Sequence, residues 1–284
     1  MEYTLHLAIL ICFYTMLSQG LSLAAGKTGL ISLAHAGFYG IGAYTTALLS
    51  LNFGLSFWVN LPIALALSGA IALLVSLIAL RTVEDYFIIC TLGIQVIIFS
   101  LMNNWMHLTS GPLGIPGIPQ ISLFGINFGD KIRFLLLSTF FVVFIWLLLR
   151  NLYNSAFGKI LTALSEDEIY TQSLGRNVYR SKTIAFTMSA MLAAIPGMLY
   201  AHYISYIDPT SFTVNESIFI LSIVIIGGMG RLWGSFMAAT FMIILPEILR
   251  FLGMPESVAA NMRQIIYGII LVVLMMINSR KQLS

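Results

Sequence analysis

Gly26-Lys27-Thr28 is the place where this sequence comes nearest to a phosphate-binding loop. That chemistry needs another glycine five positions before Gly26, so that backbone N–H groups can curl around phosphate oxygens. Position 21 is leucine, Gly20 falls one residue too far away, and the preceding stretch is apolar and helical in pattern rather than a strand. The nucleotide-binding reading is rejected on spacing and on context. Acid–base or ion-coupled chemistry would need carboxylates deep within the apolar stretches. Glu84 and Asp85 fall at the edge of one such stretch, Glu216 at the edge of another, and Glu247 follows Pro246 near the end of a third. No HExxH metal motif, no GxSxG nucleophile elbow and no repeated carbonyl filter occurs. The sequence therefore predicts no catalytic residue, no metal site and no cofactor of its own.

The elements around these residues are those of a membrane protein. Of 284 residues, 59% are hydrophobic and only 9% charged, which excludes an ordinary soluble domain. Apolar runs of about 20 residues point to helices rather than to barrel strands, which are half as long and alternate. The pattern predicts an all-α, polytopic transmembrane bundle forming a single domain over 1–284. Spans are expected at 5–25, 29–50, 58–80, 84–107, 133–150, 183–204, 216–229, 232–250 and 264–278, eight or nine crossings in all. The stretch 216–229 is short for a ~30 Å hydrocarbon layer and reads as a broken or re-entrant segment. Leu5 to Ala25 reads as a retained first span, since the first twenty residues hold Glu2 and no Lys or Arg. Cys12 and Cys90 both lie in apolar runs, so no structural disulfide is expected. The net charge of +3 is too small to suggest nucleic acid.

Orientation follows from Lys and Arg in short loops. Placing 150–182 in the cytoplasm puts Lys27, Arg81, Arg150, Lys159, Arg176, Arg180, Lys182, Arg231, Arg280 and Lys281 inside, and Lys131, Arg133, Arg250 and Arg263 outside. The N-terminus is then outside and the C-terminus cytoplasmic.

The longest polar interval, 150–182, holds Ser165-Glu166-Asp167-Glu168, the spacing of a capping box. Acids in a first helical turn suit the helix dipole, and Gly175 tolerates the left-handed conformation of a C-cap. A short helix is expected over Glu166 to Leu174, with Ile169, Tyr170 and Leu174 on one side. Two readings fit: a solvated connector, or a capped helix offered to a partner. Gly111 to Pro119 carries three prolines and three glycines, a turn-rich and rigid outer segment. Small residues recur every fourth position at Ser32, Ala36 and Gly40, and again at Ala185, Ser189, Ala193, Gly197 and Ala201. Such ridges let membrane helices approach closely; tight packing and sliding during transport are both compatible with them. Pro196 interrupts the second ridge, and Ile226 to Gly234, with Gly227 and Gly228, reads as a broken-helix hinge. His35 is either a hydrogen-bonded core histidine or a pathway residue.

In this order, these features resemble the permease subunits of branched-chain amino acid ABC importers, the LivM type more than the LivH type. The match is carried by Gly29 to Tyr44, by Thr91-Leu92 followed by Thr109 to Pro116, and by Glu168-Ile169 with Leu174-Gly175. Lys182 to Tyr200, Gly227 to Gly234 and Leu245-Pro246-Glu247 complete it. Gln95 stands where relatives often have Glu, Ala194-Ile195-Pro196 replaces a more Ala/Gly-rich stretch, and the N-terminus is short beside relatives with an extra leading helix. The resemblance implies a non-enzymatic subunit of a bacterial inner-membrane importer, moving branched-chain or related amino acids by alternating access. It implies two ATP-binding subunits that hold ATP and Mg, a second permease and a substrate-binding protein. The coupling helix would use Glu166, Glu168, Ile169, Tyr170, Leu174, Gly175 and Arg176, with Arg180 as a further charge partner. The binding protein would dock near Thr109, Gly111, Gly114 and Pro116, and the path or its hinges would use His35, Gly40, Pro196, Gly197, Gly227 and Gly228. The alternatives are the same architecture serving urea, short amides or a sugar, and a self-sufficient channel or carrier.

Overall fold

The computed structural model describes residues 2–82, 84–123, 126–251 and 268. The expected last span, 264–278, and the basic residues Arg263, Arg280 and Lys281 lie outside the described residues. Eleven helices occur among the described residues: α1 (Glu2–Thr28), α2 (His35–Phe53), α3 (Phe57–Ala79), α4 (Glu84–Asn104), α5 (Met106–Thr109), α6 (Lys131–Asn154), α7 (Ala156–Glu166), α8 (Glu168–Ser173), α9 (Val178–Ile204), α10 (Val214–Gly227) and α11 (Leu232–Phe251). Two short antiparallel ladders accompany them. β1 (Ile115–Pro116) pairs with β4 (Tyr206–Ile207), and β2 (Ser122–Leu123) with β3 (Ile126–Asn127).

Five of these helices are long and apolar enough to cross a membrane, namely α1, α3, α4 from Asp85, α6 and α9. Their burial sorts them. The most apolar windows of α1 and α9 are 67% and 72% buried, against 33%, 28% and 33% for α3, α4 and α6. A helix that is hydrophobic all round and buried belongs in the centre, so α1 and α9 form the axis and the others expose a lipid-compatible face. Leu74 and Ile78 of α3 and Leu136 and Phe140 of α6 stand on those outer faces.

The seams between central helices are made by glycine. A Cβ on Gly197 would run into the Tyr39 carbonyl of α2, and one on Gly42 would run into Ala194. Ser189 Oγ donates to the Gly20 carbonyl at 2.6 Å, joining α9 to α1. In lipid there is little hydrophobic drive between helices, so close backbone approach and buried hydrogen bonds hold the bundle. The small-residue ridge on α9 is buried along its length, as its spacing requires.

One sequence expectation changes here. The span expected over 29–50 begins as a helix only at His35, because 29–34 is unwound with Gly29 at φ 71°. Pro196 lies within the helix from Val178 to Ile204. Glu216 stands at the edge of its stretch, in the first turn of α10, and accepts the Tyr14 hydroxyl proton at 2.5 Å, halfway along α1. The cause is the shortness of α10. Fourteen residues rise about 21 Å, and its far end is fixed beside the end of α1, where the Gly230 N–H donates to Ser22 Oγ at 2.9 Å. Its first turn therefore reaches only mid-depth.

Candidate functional site

The polar interval folds into three consecutive capped helices. Ser155 caps α7 by accepting from Gly158 N, Asp167 caps α8 by accepting from Tyr170 N at 2.9 Å, and Asn177 caps α9 by accepting from Arg180 N at 2.9 Å. This corrects the expected single helix from Glu166 to Leu174. Ser165 still belongs to α7, where its hydroxyl donates to Thr162 O at 2.7 Å, so it cannot cap the next helix. Glu166 ends α7, and the chain breaks at Asp167, whose extended backbone (φ −151°, ψ 108°) is that of an N-cap. Asp competes with Ser for this role because its carboxylate also suits the helix dipole. The expected glycine stop holds: Gly175 has φ 76°, and its N–H donates to Gln172 O at 2.9 Å.

The six residues of α8 are held by one buried contact and one ion pair. Thr171 is buried, and Lys182 of α9 meets Glu168 Oε2 at 2.5 Å. The Lys182 side chain is only 10% exposed, so a cation withdrawn from water is matched by a charged partner, as a buried charge requires. Glu168 thus faces its own chain. Beside the exposed Glu168, Gln172 and Ser173, α8 and its C-cap present three large apolar side chains outward: Ile169 at 81%, Tyr170 at 60% and Leu174 at 62% exposure. Arg176 and Arg180 are exposed beside them. Three large apolar side chains on a short pinned helix form a knob that water disfavours and a partner groove would bury. Beneath it, Lys27 at the end of α1 donates to Thr162 Oγ1 of α7 and lies 5.0 Å from the centre of the Tyr153 ring.

At the other end of α9, the Gly/Pro segment is clamped. The N–H groups of Gly117 and Ile118 donate to Ser205 O at 3.0 and 3.3 Å, β1 pairs with β4, and the Tyr206 hydroxyl donates to Leu113 O. Thr109 donates to Met102 O and Trp105 O, which ties the segment to α4. Of the residues expected to receive a partner, Thr109, Gly111 and Gly114 are buried and set the turn, with Gly111 and Gly114 at positive φ. Pro116 is exposed, together with Pro112, Leu113, Gly117 and Pro119. A segment with few N–H donors gains an ordered shape by borrowing acceptors from α9.

Of the remaining candidates, His35, Gly40 and Gly197 lie on the seam between α2 and its neighbours, near where α2 begins. The donors of that unwound start are satisfied by side chains: Leu33 N by Thr91, Ala34 N by Ser32, Ala36 N by Ser217 and Gly37 N by Gln95. Gln95 also donates from Nε2 to Phe212 O at 2.7 Å, so one amide joins α4, α2 and the segment before α10. Unwound backbone is tolerated within a membrane bundle when it is paired in this way. His35 is fully buried, with Nε2 3.2 Å from Ser189 Oγ. Gly40 lies against Phe212 and Met102. Gly227 and Gly234 cross in direct backbone contact, and Gly228 and Gly230 take φ of 83° and 80° in the turn between α10 and α11. His35, Gly40 and Gly197 therefore share one junction, while Gly227 and Gly228 sit with the end of α1. Gln95 could be read in the sequence only as a departure from the family pattern; its two-sided bonding depends on the fold. No group of histidine, cysteine and carboxylate side chains able to hold a metal occurs among the described residues.

Comparison with known proteins gives a consistent result. Residues 3–275 match the family described as branched-chain amino acid transport system / permease component. The chain is 37% identical over 270 residues to the high-affinity branched-chain amino acid transport system permease protein LivM of Escherichia coli K12, covering 87% of this chain and 64% of LivM. It is 27% identical over 233 residues to the probable permease LivH of Methanocaldococcus jannaschii, covering 78% and 71%. It is 25% identical over 232 residues to the guanosine ABC transporter permease protein NupQ of Bacillus subtilis, covering 76% and 72%. The chain thus spans just under two thirds of the length of the Escherichia coli LivM. No solved structure matches it.

Proposed function

The chain belongs to the branched-chain amino acid transport permease family, and on that premise we propose that it is the membrane subunit of an ATP-driven importer for branched-chain amino acids. In this reading it pairs with a second permease and two ATP-binding subunits, and receives substrate from a binding protein. It crosses the bacterial inner membrane eight or nine times, with α10 as the broken segment and the N-terminus outside. Energy enters through α8, whose Ile169, Tyr170 and Leu174 seat in a groove of an ATP-binding chain. The observation that carries the reading is this apolar knob on a short helix, capped at both ends and pinned by a buried lysine. Rigid caps and an ion pair allow a push on α8 to be passed on as a rigid-body movement. The Gly/Pro face at the opposite end of α9 is the surface for the binding protein. The likeness to NupQ, whose name assigns it guanosine, keeps a different solute as the competing reading.

A mild-detergent pull-down of the tagged chain from native membranes tests the assembly, with co-purifying chains identified by mass. Recovery of an ATP-binding chain and a second permease is the expected result; repeated recovery of this chain alone, also after crosslinking, would sink it. Uptake of labelled leucine competed by isoleucine and valine, and not by guanosine or ribose, is expected for the substrate assignment. Gly175→Pro provides a sharper test of α8. Proline removes the N–H given to Gln172 O and cannot adopt φ 76°, at a cost of about 3 kcal/mol. Uptake is expected to fall at least about tenfold with membrane insertion unchanged; normal uptake would remove α8 from the coupling role.

A further inference from the structure

We propose that α9 is a strut carrying α8 at one end and the Gly/Pro segment at the other as one rigid body, with His202 as the positioning residue that fixes the Gly/Pro end. This rests on the reading of α8 and the Gly/Pro face as the two partner surfaces. At 27 residues, α9 is about 40 Å long, enough to reach from one membrane face to the other. Its first end is joined to α8 by the Lys182–Glu168 ion pair. Near its last turn, His202 is buried, and both ring nitrogens are engaged. Nδ1 lies 2.6 Å from Pro119 O, and since a carbonyl can only accept, Nδ1 carries the proton. Nε2, 2.9 Å from Thr46 Oγ1, then accepts the hydroxyl proton in the neutral ring. Asn60 of α3 continues the chain of bonds, reaching Thr46 and Ser50 of α2.

The clamp therefore does not depend on sequence neighbours. Pro119 is 83 residues from His202 along the chain, so the Gly/Pro segment follows α9 through this ring, the Ser205 carbonyl, the β1–β4 pairing and the Tyr206 hydroxyl rather than through sequence proximity. The rod between the two ends is held by its surroundings. Gly197 on Tyr39, Ala194 on Gly42 and Ser189 on Gly20 leave α9 no room to bend at Pro196 independently of α1 and α2. A tug by a docked binding protein on the Gly/Pro face is then delivered to α8, and the reverse.

The test uses the full complex in lipid nanodiscs, with Cys12 and Cys90 replaced by alanine. Spin labels are placed at Leu113 and Gln172, both exposed, and a third at Met237, exposed on α11. Between the nucleotide-free and ATP-bound states the 113–172 distance is expected to stay constant while the 237–172 distance changes. His202→Gln presents its amide from the Nε2 side and loses the Pro119 bond. It is expected to broaden the 113–172 distribution and to lower the stimulation of ATP hydrolysis by substrate-loaded binding protein about tenfold. His202→Asn keeps a donor at the Nδ1 position and is expected to restore most of both, a distinction that mere packing would not make. Should the glutamine variant fail to assemble, Tyr206→Phe cuts the bond to Leu113 O on a more exposed side chain, with the same broadening expected. A 113–172 distance that shifts by several ångströms in the unaltered protein, or a His202→Gln or Tyr206→Phe complex that retains a narrow distribution and full stimulation, overturns the strut. Failure of the unaltered complex to respond to loaded binding protein at all would instead reject the importer reading on which it rests.

Discussion

Gly197→Val is expected to abolish the folded protein. A Cβ at this position would run into the Tyr39 carbonyl and lie 3.0 Å from Ala43 N, both of them backbone of α2. Side chains can rotate out of the way, whereas helix backbone cannot move without shifting the whole element. Overpacking by a few methyl groups in a core commonly costs 1–3 kcal/mol, and a clash with rigid backbone lies at or beyond the upper end. Native proteins hold only about 5–15 kcal/mol in reserve, so such a clash takes a large part of it. The expected readout is loss of the monodisperse peak in detergent chromatography and loss of membrane-inserted chain. Gly93→Ala is the control: it lies in α4 with nothing within 4 Å of its added Cβ, so it is expected to be neutral or slightly stabilising. Equal behaviour of the two variants would mean that the α2–α9 seam is not the close contact described.

Gln95→Leu is the second large effect. Leucine nearly matches the volume of glutamine but supplies neither the acceptor used by Gly37 N at 2.6 Å nor the donor used by Phe212 O at 2.7 Å. Gly37 N keeps a bond to Ala34 O at 3.0 Å, but Phe212 O loses its donor, and a buried backbone group left unpaired costs about 1–3 kcal/mol. For a protein of this size that corresponds to a fall in melting temperature of roughly 2–10 °C. Because the amide fixes the start of α2 against the segment before α10, transport is expected to fall more steeply than stability. The discriminating measurement is leucine uptake per correctly inserted molecule beside thermal unfolding of the same preparation. A variant with unchanged melting and unchanged uptake would show that this junction has no structural role.

Much of the fold was legible in the sequence because it rests on local quantities. Eight apolar stretches reappear as helices α1, α2, α3, α4, α6, α9, α10 and α11 with shifted ends, five of them long and apolar enough to cross a membrane, since hydropathy and periodicity are local properties. The buried ridge on α9 could be read from its four-residue spacing, as could the stop at Gly175, a position whose backbone favours glycine. The face of α8 carrying Ile169, Tyr170 and Leu174 was also available from spacing alone.

Only the tertiary structure decided which polar groups meet. Asp167 and Ser165 both fit a capping pattern, and the choice fell to Asp167 because α7 continues through Ser165 and uses its hydroxyl. Glu216, at the edge of its own stretch, meets the middle of α1 because α10 is half a span long and anchored at its other end. Lys182 could be taken for one more member of a basic run, and His202 for a histidine at a span end, until packing set Glu168 and Pro119 beside them. Hydropathy and periodicity determine where helices run and which faces they bury. The partner of a buried donor depends on the depth and rotation of a helix distant in sequence, and that is fixed only when the backbones come into contact.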